Sequence, residues 1–251
     1  MTKTGRTKHK VWPVLLISLW LHPSAVTADG LEDAMPDRIE HYSERYALED
    51  IFAKRTDNRG EGFEELYGTR NFRTILKGVA YRGGANNKLN RHGRRDNRNP
   101  LPEHGLVNLC EEGFERSYYL YRTNYETAPK EMQCRTPSGD TRRLDYLQLS
   151  PFDEEHAYDI LRDVHATITD DARGPLYLHC WNGWHASGLI AAKILRQFCG
   201  LGAEEAVAYW DRNTDGHNAE PRYERIRQRI RDFEPYPELD ITEEQAAAIC
   251  P

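Results

Sequence analysis

The sequence predicts an α/β protein with a mostly parallel central sheet flanked by helices. Three observations carry this reading. Short apolar, strand-like runs alternate along the chain with helix-spaced ones; residues 144–149 alternate with period two and lead straight into a helical pattern; and the buried run at 175–178 passes through a glycine-bearing turn into another.

The N-terminus reads as a secretory signal peptide over residues 1–28. Lys3, Arg6, Lys8 and Lys10 precede an apolar run over 11–21, and small residues close it at Val26-Thr27-Ala28. The alternative is an uncleaved signal anchor. The run is short for a membrane span, and no later stretch is long and apolar enough to cross. The mature protein is therefore expected to be soluble, either periplasmic or secreted. Losing the four basic residues takes the net charge from −6 to −10. That acidity argues against a nucleic-acid partner, whose affinity depends on neutralised phosphates. The remaining length suits one domain, with residues 29–74 as a leader packing on an α/β domain at 75–251.

Taken in order, residues 42–52 are helix-compatible, and 78–82 form a short strand stopped by Gly83-Gly84. The polar loop that follows carries Lys88, Arg91, Arg94, Arg95 and Arg98 against one acid, Asp96. Such a patch is either a solvated face or a means of recruiting an anion. Residues 106–110 read as a second strand, 114–125 as a tyrosine-rich helix and 129–139 as loop. After the third strand at 144–149, Ala157, Ile160, Leu161, Val164 and Ile168 recur at helical spacing, with Ser150 as N-cap and Pro151 in the first turn. The fourth strand ends at Cys180. Residues 189–198 then form a largely buried helix stopped by Gly200, and 203–209, 222–233 and 242–249 form three more.

Between the fourth strand and its helix lies His179-Cys180-Trp181-Asn182-Gly183-Trp184-His185-Ala186-Ser187-Gly188. The first amides of a helix have no intrahelical acceptor and point out of its positive end, so they can cradle a phosphate and favour the thiolate of a cysteine placed there. The decapeptide resembles the loop of the cysteine-dependent protein tyrosine and dual-specificity phosphatases, which reads His-Cys-x5-Arg-Ser/Thr-Gly between a strand and a helix. His179, Cys180, Gly183, Ser187 and Gly188 fall on matching positions. Ala186 stands where the family has its phosphate-gripping arginine. The resemblance covers residues 75–235.

It implies a cysteine-phosphatase-like fold and hydrolysis of a phosphate monoester through a cysteinyl-phosphate intermediate. Cys180 would be the nucleophile, Ser187 would assist the leaving thiolate, and Trp181, Asn182, Gly183, Trp184, His185, Ala186 and Gly188 would line the phosphate. His179 and His185 would add positive charge nearby. The family's acid follows the preceding strand, which points to Asp153, with Glu154 and Glu155 beside it; Asp153 also suits a helix cap.

Arginine gives a phosphate two parallel charge-assisted hydrogen bonds and alanine gives none. Loss of one preorganised donor costs roughly 10²–10³ in rate. Ala186 therefore implies a feeble phosphatase or a cation supplied from elsewhere. Arg82 is the first candidate, because Tyr81-Arg82-Gly83-Gly84 resembles the first-strand exit of atypical dual-specificity phosphatases; Arg70 and Arg212 are others. The rival reading is a pseudophosphatase that binds an anionic or sugar-phosphate ligand without turnover, and a third is thiol chemistry unrelated to phosphate. Trp181 and Trp184 either stack on a ring or pack the loop. The polar turn at 211–218 could bring Asp215 or His217 to the site. The expected partner is a phosphorylated small molecule, sugar or protein. No cofactor is implied, since His179, Cys180, His185 and His217 lack the paired spacing of a zinc site.

The five cysteines suggest pairs plus one free thiol. With Cys180 free, the other four allow three connectivities. The preferred one joins Cys110 to Cys134 and Cys199 to Cys250, stapling the segment after a strand and tying the C-terminal tail to the helix beyond the loop. The alternative for Cys199 is a buried apolar thiol.

Overall fold

Strands buried on both faces must be apolar on both faces, and the run ending at Cys180 is the central example. The computed structural model describes residues 1, 34–86, 100–137 and 139–251. Its sheet has six strands: β1 (Thr69–Leu76), β2 (Ala80–Ala85), β3 (Arg116–Tyr119), β4 (Glu131–Arg135), β5 (Thr141–Gln148) and β6 (Leu176–Cys180), in the order β1-β2-β6-β3-β5-β4. β2, β6, β3 and β5 run parallel, and β1 and β4 close the edges antiparallel.

Among the described residues seven α-helices cover the sheet: α1 (Ala34–Tyr46), α2 (Glu103–Glu111), α3 (Glu154–Thr169), α4 (Ala186–Cys199), α5 (Ala203–Arg212), α6 (Glu224–Arg231) and α7 (Glu243–Ile249). The alternation along β6 divides the core in two. Leu176, Leu178 and Cys180 pack with residues of α3, α4, α5, α6 and α7. Tyr177 points the other way, into a cluster with Tyr46, Phe72, Tyr81 and Phe114, where Phe72 stacks on Tyr81 and Tyr177 at 5.2 and 5.6 Å. The α/β fold expected from the alternation is thus present, with its parallel strands at the centre. Among the described residues no helix is long and apolar enough to cross a membrane.

The long periodic segments form as expected. Ala157, Ile160, Leu161, Val164 and Ile168 are all buried on α3, and α4 is buried nearly throughout and ends at Gly200 in the left-handed region, φ 65°. Both preferred disulfides are present, Cys110–Cys134 and Cys199–Cys250, and Cys180 is a free buried thiol. They close loops of 24 and 51 residues, a restriction of the unfolded chain worth typically about 2–4 kcal/mol each.

Several local expectations need correction. Residues 106–110 belong to helix α2, where Leu106, Leu109 and Cys110 are buried at i, i+3, i+4 spacing; an apolar run that short does not separate strand from helix. Residues 114–125 hold β3 and a turn instead of a helix, in line with the strand preference of consecutive tyrosines. The expected loop at 129–139 contains β4, an edge strand of alternating exposure whose Cys134 is tied to α2. β1 lies mostly within the segment read as leader, so the sheet begins before residue 75. The helix expected over 42–52 ends at Tyr46, followed by Ala47 at φ 48°. Gly83 and Gly84 do not stop β2, which runs through them to Ala85. The N-cap of α3 is Asp153, not Ser150. The expected signal segment beyond Met1, and the basic loop with Lys88, Arg91, Arg94, Arg95 and Arg98, lie outside the described residues.

Candidate active site

The chain leaves the sheet at Cys180, turns through residues 181–185 and enters α4 at Ala186. In this turn five successive carbonyls are taken up by donors from the scaffold. Trp181 O accepts from the amide of Ala85 at 3.2 Å, Asn182 O from Asn71 Nδ2 at 2.7 Å, and His185 O from Trp210 Nε1 at 3.1 Å. Between them, Gly183 O and Trp184 O both accept from Arg82 Nη2, the second at 3.4 Å.

In a trans peptide the C=O of one residue and the N–H of the next point in opposite directions. Carbonyls fixed toward the scaffold therefore turn the amides of Asn182, Gly183, Trp184, His185 and Ala186 away from it. None of those amides finds an acceptor among the described residues. A run of unpaired amides at the start of a helix is an arrangement that can hold an anion.

The loop lies directly on the end of β2, and this is why two glycines follow Arg82. A Cβ on Gly84 would stand 2.5 Å from Trp181 O, and one on Gly183 would stand 2.6 Å from the Gly83 carbonyl carbon. Gly183 also sits at φ 77°, where L side chains are strained. Gly188 lets α4 approach the Trp210 ring, 2.8 Å from where a Cβ would lie.

Cys180 is 6% exposed, and its Sγ lies 3.5 Å from Ser187 Oγ, so the expected nucleophile and hydroxyl do meet. The histidines play a different part from the one expected. His179 is fully buried between tyrosines, stacked on Tyr119 at 5.2 Å and Tyr146 and Tyr177 at 5.7 Å. Cys180 O can only accept, so His179 Nδ1–H donates to it at 3.3 Å and Nε2 of the neutral ring accepts from the Tyr146 hydroxyl at 2.9 Å, whose oxygen also accepts from Leu101 N–H. Burial pushes His179 down to about 3 against that last bond, so the ring is neutral and brings no positive charge. Burial also lowers His185, against its hydrogen bond to His217 O at 2.6 Å.

A cleft of about 650 Å³ opens over Cys180. Its lining combines Trp181, Asn182, Trp184, His185 and Ala186 of the turn with His217, Glu220, Arg222, Tyr223 and Arg225 from further along the chain. Trp181 packs on Tyr121 at 4.2 Å, and His185 stacks on Tyr223 at 4.2 Å. Trp184 is held rather than offered: its Nε1 donates to Asp215 at 3.0 Å and its ring meets His217 at 3.9 Å.

The three arginines expected as replacement cations do not line this cleft. Arg82 lies beneath the loop, fully buried, with Nη1 donating to Tyr209 Oη at 3.0 Å. It holds carbonyls, not an anion. Arg70 is also buried, donating to Asn58 with its guanidinium 5.9 Å from the Trp184 ring, and Arg212 lies 3.7 Å over Phe52. Arg73, a buried arginine the sequence did not single out, pairs with Asp215 at 3.3 Å; burial first, and then neighbouring Arg82, bring it down to about 10. Asp215 also binds Lys54 at 2.7 Å. Burial pushes its carboxyl up, but the Lys54 hydrogen bond, the charges of Arg73 and Lys54 and the Trp184 N–H outweigh burial and hold it below its ordinary value. Asp215 is therefore a clamp on Trp184.

Asp153 sits one residue beyond cleft-lining Phe152 but does not itself line the cleft. Its Oδ1 caps α3, accepting from the amides of Glu155 at 3.0 Å and His156 at 3.2 Å, while Oδ2 accepts no bond among the described residues. Glu154 is committed elsewhere, to buried Lys193 at 2.6 Å and Arg229 at 2.9 Å, and Glu155 is exposed. Among the described residues no three His, Cys, Asp or Glu side chains cluster as metal ligands. The residues missed in the sequence are Tyr121, Glu220, Arg222, Tyr223 and Arg225. No local pattern marks them, because packing across the fold brings them over the loop.

No protein-family model matches the chain, and no curated protein matches its sequence. Among solved structures, the active form of Tk-PTP aligns at 15% identity with a TM-score of 0.42, covering 65% of this chain and 97% of that one. The core catalytic domain of the PP-IP phosphatase SIW14 from S. cerevisiae aligns at 14% identity and a TM-score of 0.41, over 66% of this chain and 86% of that one. TpbA of P. aeruginosa aligns at 16% identity and a TM-score of 0.39, over 62% of this chain and 81% of that one.

Proposed function

We propose that this protein is a cysteine-dependent phosphatase acting on a phosphate monoester at Cys180. The observation that supports it most is the carbonyl-pinned turn, which aims five unpaired amides around a buried thiol that has a hydroxyl 3.5 Å away. The phosphate sits on those amides. The Cys180 thiolate attacks phosphorus, forming the S–P bond as the bond to the leaving oxygen breaks, and that oxygen takes a proton from the uncommitted side of Asp153. Water then attacks phosphorus and gives its proton back to Asp153. The S–P bond breaks, inorganic phosphate leaves, and the Ser187 hydroxyl stabilises the departing thiolate.

Ala186 supports a second reading, a binding protein for an anionic or sugar-phosphate ligand without turnover, because the loop itself carries no cation. Assay of the protein on an aryl phosphate beside Cys180→Ser separates the two. Turnover that disappears in Cys180→Ser is expected for the enzyme; phosphate binding with no thiol-dependent turnover in either protein supports the binder. Asp153→Asn should slow turnover of substrates with poor leaving groups most, whereas Glu220→Gln should not. Export to the periplasm or outside the cell fits the two disulfides, which persist in oxidising compartments. Cleavage after residue 28 is read from the mass of the exported protein.

A further inference from the structure

A phosphate monoester brings up to two negative charges, and the loop answers them only with amide dipoles. Five arginines stand in the segment 222–231, and their partners distinguish them. Arg227 pairs with Asp211 at 2.7 Å, Arg229 with Glu154 at 2.9 Å and Arg231 with Glu204 at 2.8 Å. Arg222 pairs with Glu220 at 2.9 Å and donates to Tyr223 Oη at 3.1 Å. Arg225 alone among them has no carboxylate within ion-pair distance among the described residues, and it lines the cleft over Cys180. Its guanidinium lies 6.0 Å from the ring of Phe152, the residue beside Asp153.

We propose that Arg225 supplies, from α6, the guanidinium contact to bound phosphate that Ala186 does not provide, with Arg222 as a secondary contact across the same wall. The inference rests on the phosphate-binding reading of the loop and adds a residue to it. The other four arginines of the segment are each matched by a carboxylate, whereas Arg225 stands exposed at the cleft with none among the described residues. Left without one at the mouth of an amide nest, Arg225 is matched by an anionic ligand instead. Its contact with Phe152 keeps the guanidinium over the cleft, which reduces the side-chain entropy lost on binding.

The test measures inorganic phosphate affinity by calorimetry, together with kcat/KM on an aryl phosphate. The proteins compared are the unmodified one, Arg225→Gln, Arg225→Lys, Arg227→Gln as a paired control away from the cleft, and the double variant Ala186→Arg/Arg225→Gln. Arg225→Gln should weaken phosphate binding about tenfold, the effect of one partly exposed charge-assisted contact. Arg225→Lys should fall between it and the unmodified protein. Arg227→Gln should bind as the unmodified protein does, and the double variant should recover the lost affinity. Unchanged affinity in Arg225→Gln, with phosphate still bound by the unmodified protein, overturns this inference and leaves the phosphatase reading standing. No phosphate binding by the unmodified protein overturns both.

Discussion

The two faces of the turn at 181–185 are built by opposite rules. On the scaffold side each carbonyl has a donor, three of them buried side chains, Asn71, Arg82 and Trp210, reaching in from β1, β2 and α5. On the cleft side the amides are unpaired among the described residues, and the arginines lining the cleft, Arg222 and Arg225, come from a separate segment of the chain. The difference teaches that shape and charge are separable in such a loop. The scaffold fixes the direction of the amides although residue 186, at the head of α4, is an uncharged alanine.

That contrast can be broken from the inner side with the largest effect. Arg82→Met leaves Gly183 O and Trp184 O without their donor, at about 1–3 kcal/mol for each buried orphan, so denaturant unfolding should show a loss of about 4 kcal/mol together with loss of phosphate binding. Arg225→Gln, on the outer face, should leave stability unchanged. A stable Arg82→Met protein that still binds phosphate would show that the carbonyls do not need the guanidinium.

Next in size is a pH effect. His179 is held near 3 in the folded protein against about 6.5 when unfolded, so the unfolded chain takes the proton first. Stability is intact above pH 6.5 and is lost as pH falls toward 3, amounting to about 3 kcal/mol by pH 4. Melting temperatures between pH 7 and 4 should fall accordingly, and His179→Gln should flatten the slope. A smaller effect is expected from Gly183→Ala, which places a Cβ 2.6 Å from the Gly83 carbonyl carbon at a positive φ. About 2 kcal/mol of stability should go, from strain and the displaced backbone, and phosphate affinity should fall with it. If stability falls and affinity does not, the amides are not the grip.

The segments legible in the sequence were those whose periodicity and neighbours agreed, namely β5, α3, β6 and α4, together with the thiol and its hydroxyl partner at Cys180 and Ser187. With Cys180 set aside the four remaining cysteines still allow three connectivities, so the preferred pairing becomes definite only in the structure. β1 was not legible, since Arg70, Asn71 and Arg73 break the apolar pattern of a buried strand; they are there to serve the loop and its Asp215 clamp. The sequence points to Arg82 but not to its direction, because a strand-exit motif does not reveal whether its side chain lies above or beneath the turn. The sequence admits Asp153 as cap or as acid, and the structure shows the cap, on Oδ1 alone. Arg225 was invisible, because its significance lies in lacking the carboxylate that its neighbours possess, which is a tertiary fact.

The proposed phosphate grip is the set of amides of Asn182, Gly183, Trp184, His185 and Ala186. Titrating inorganic phosphate into the isotopically labelled Cys180→Ser protein and following its amide resonances reads them one by one. These five should shift together and saturate with a single affinity. Phosphate binding that moves other amides and leaves these five in place would contradict that grip.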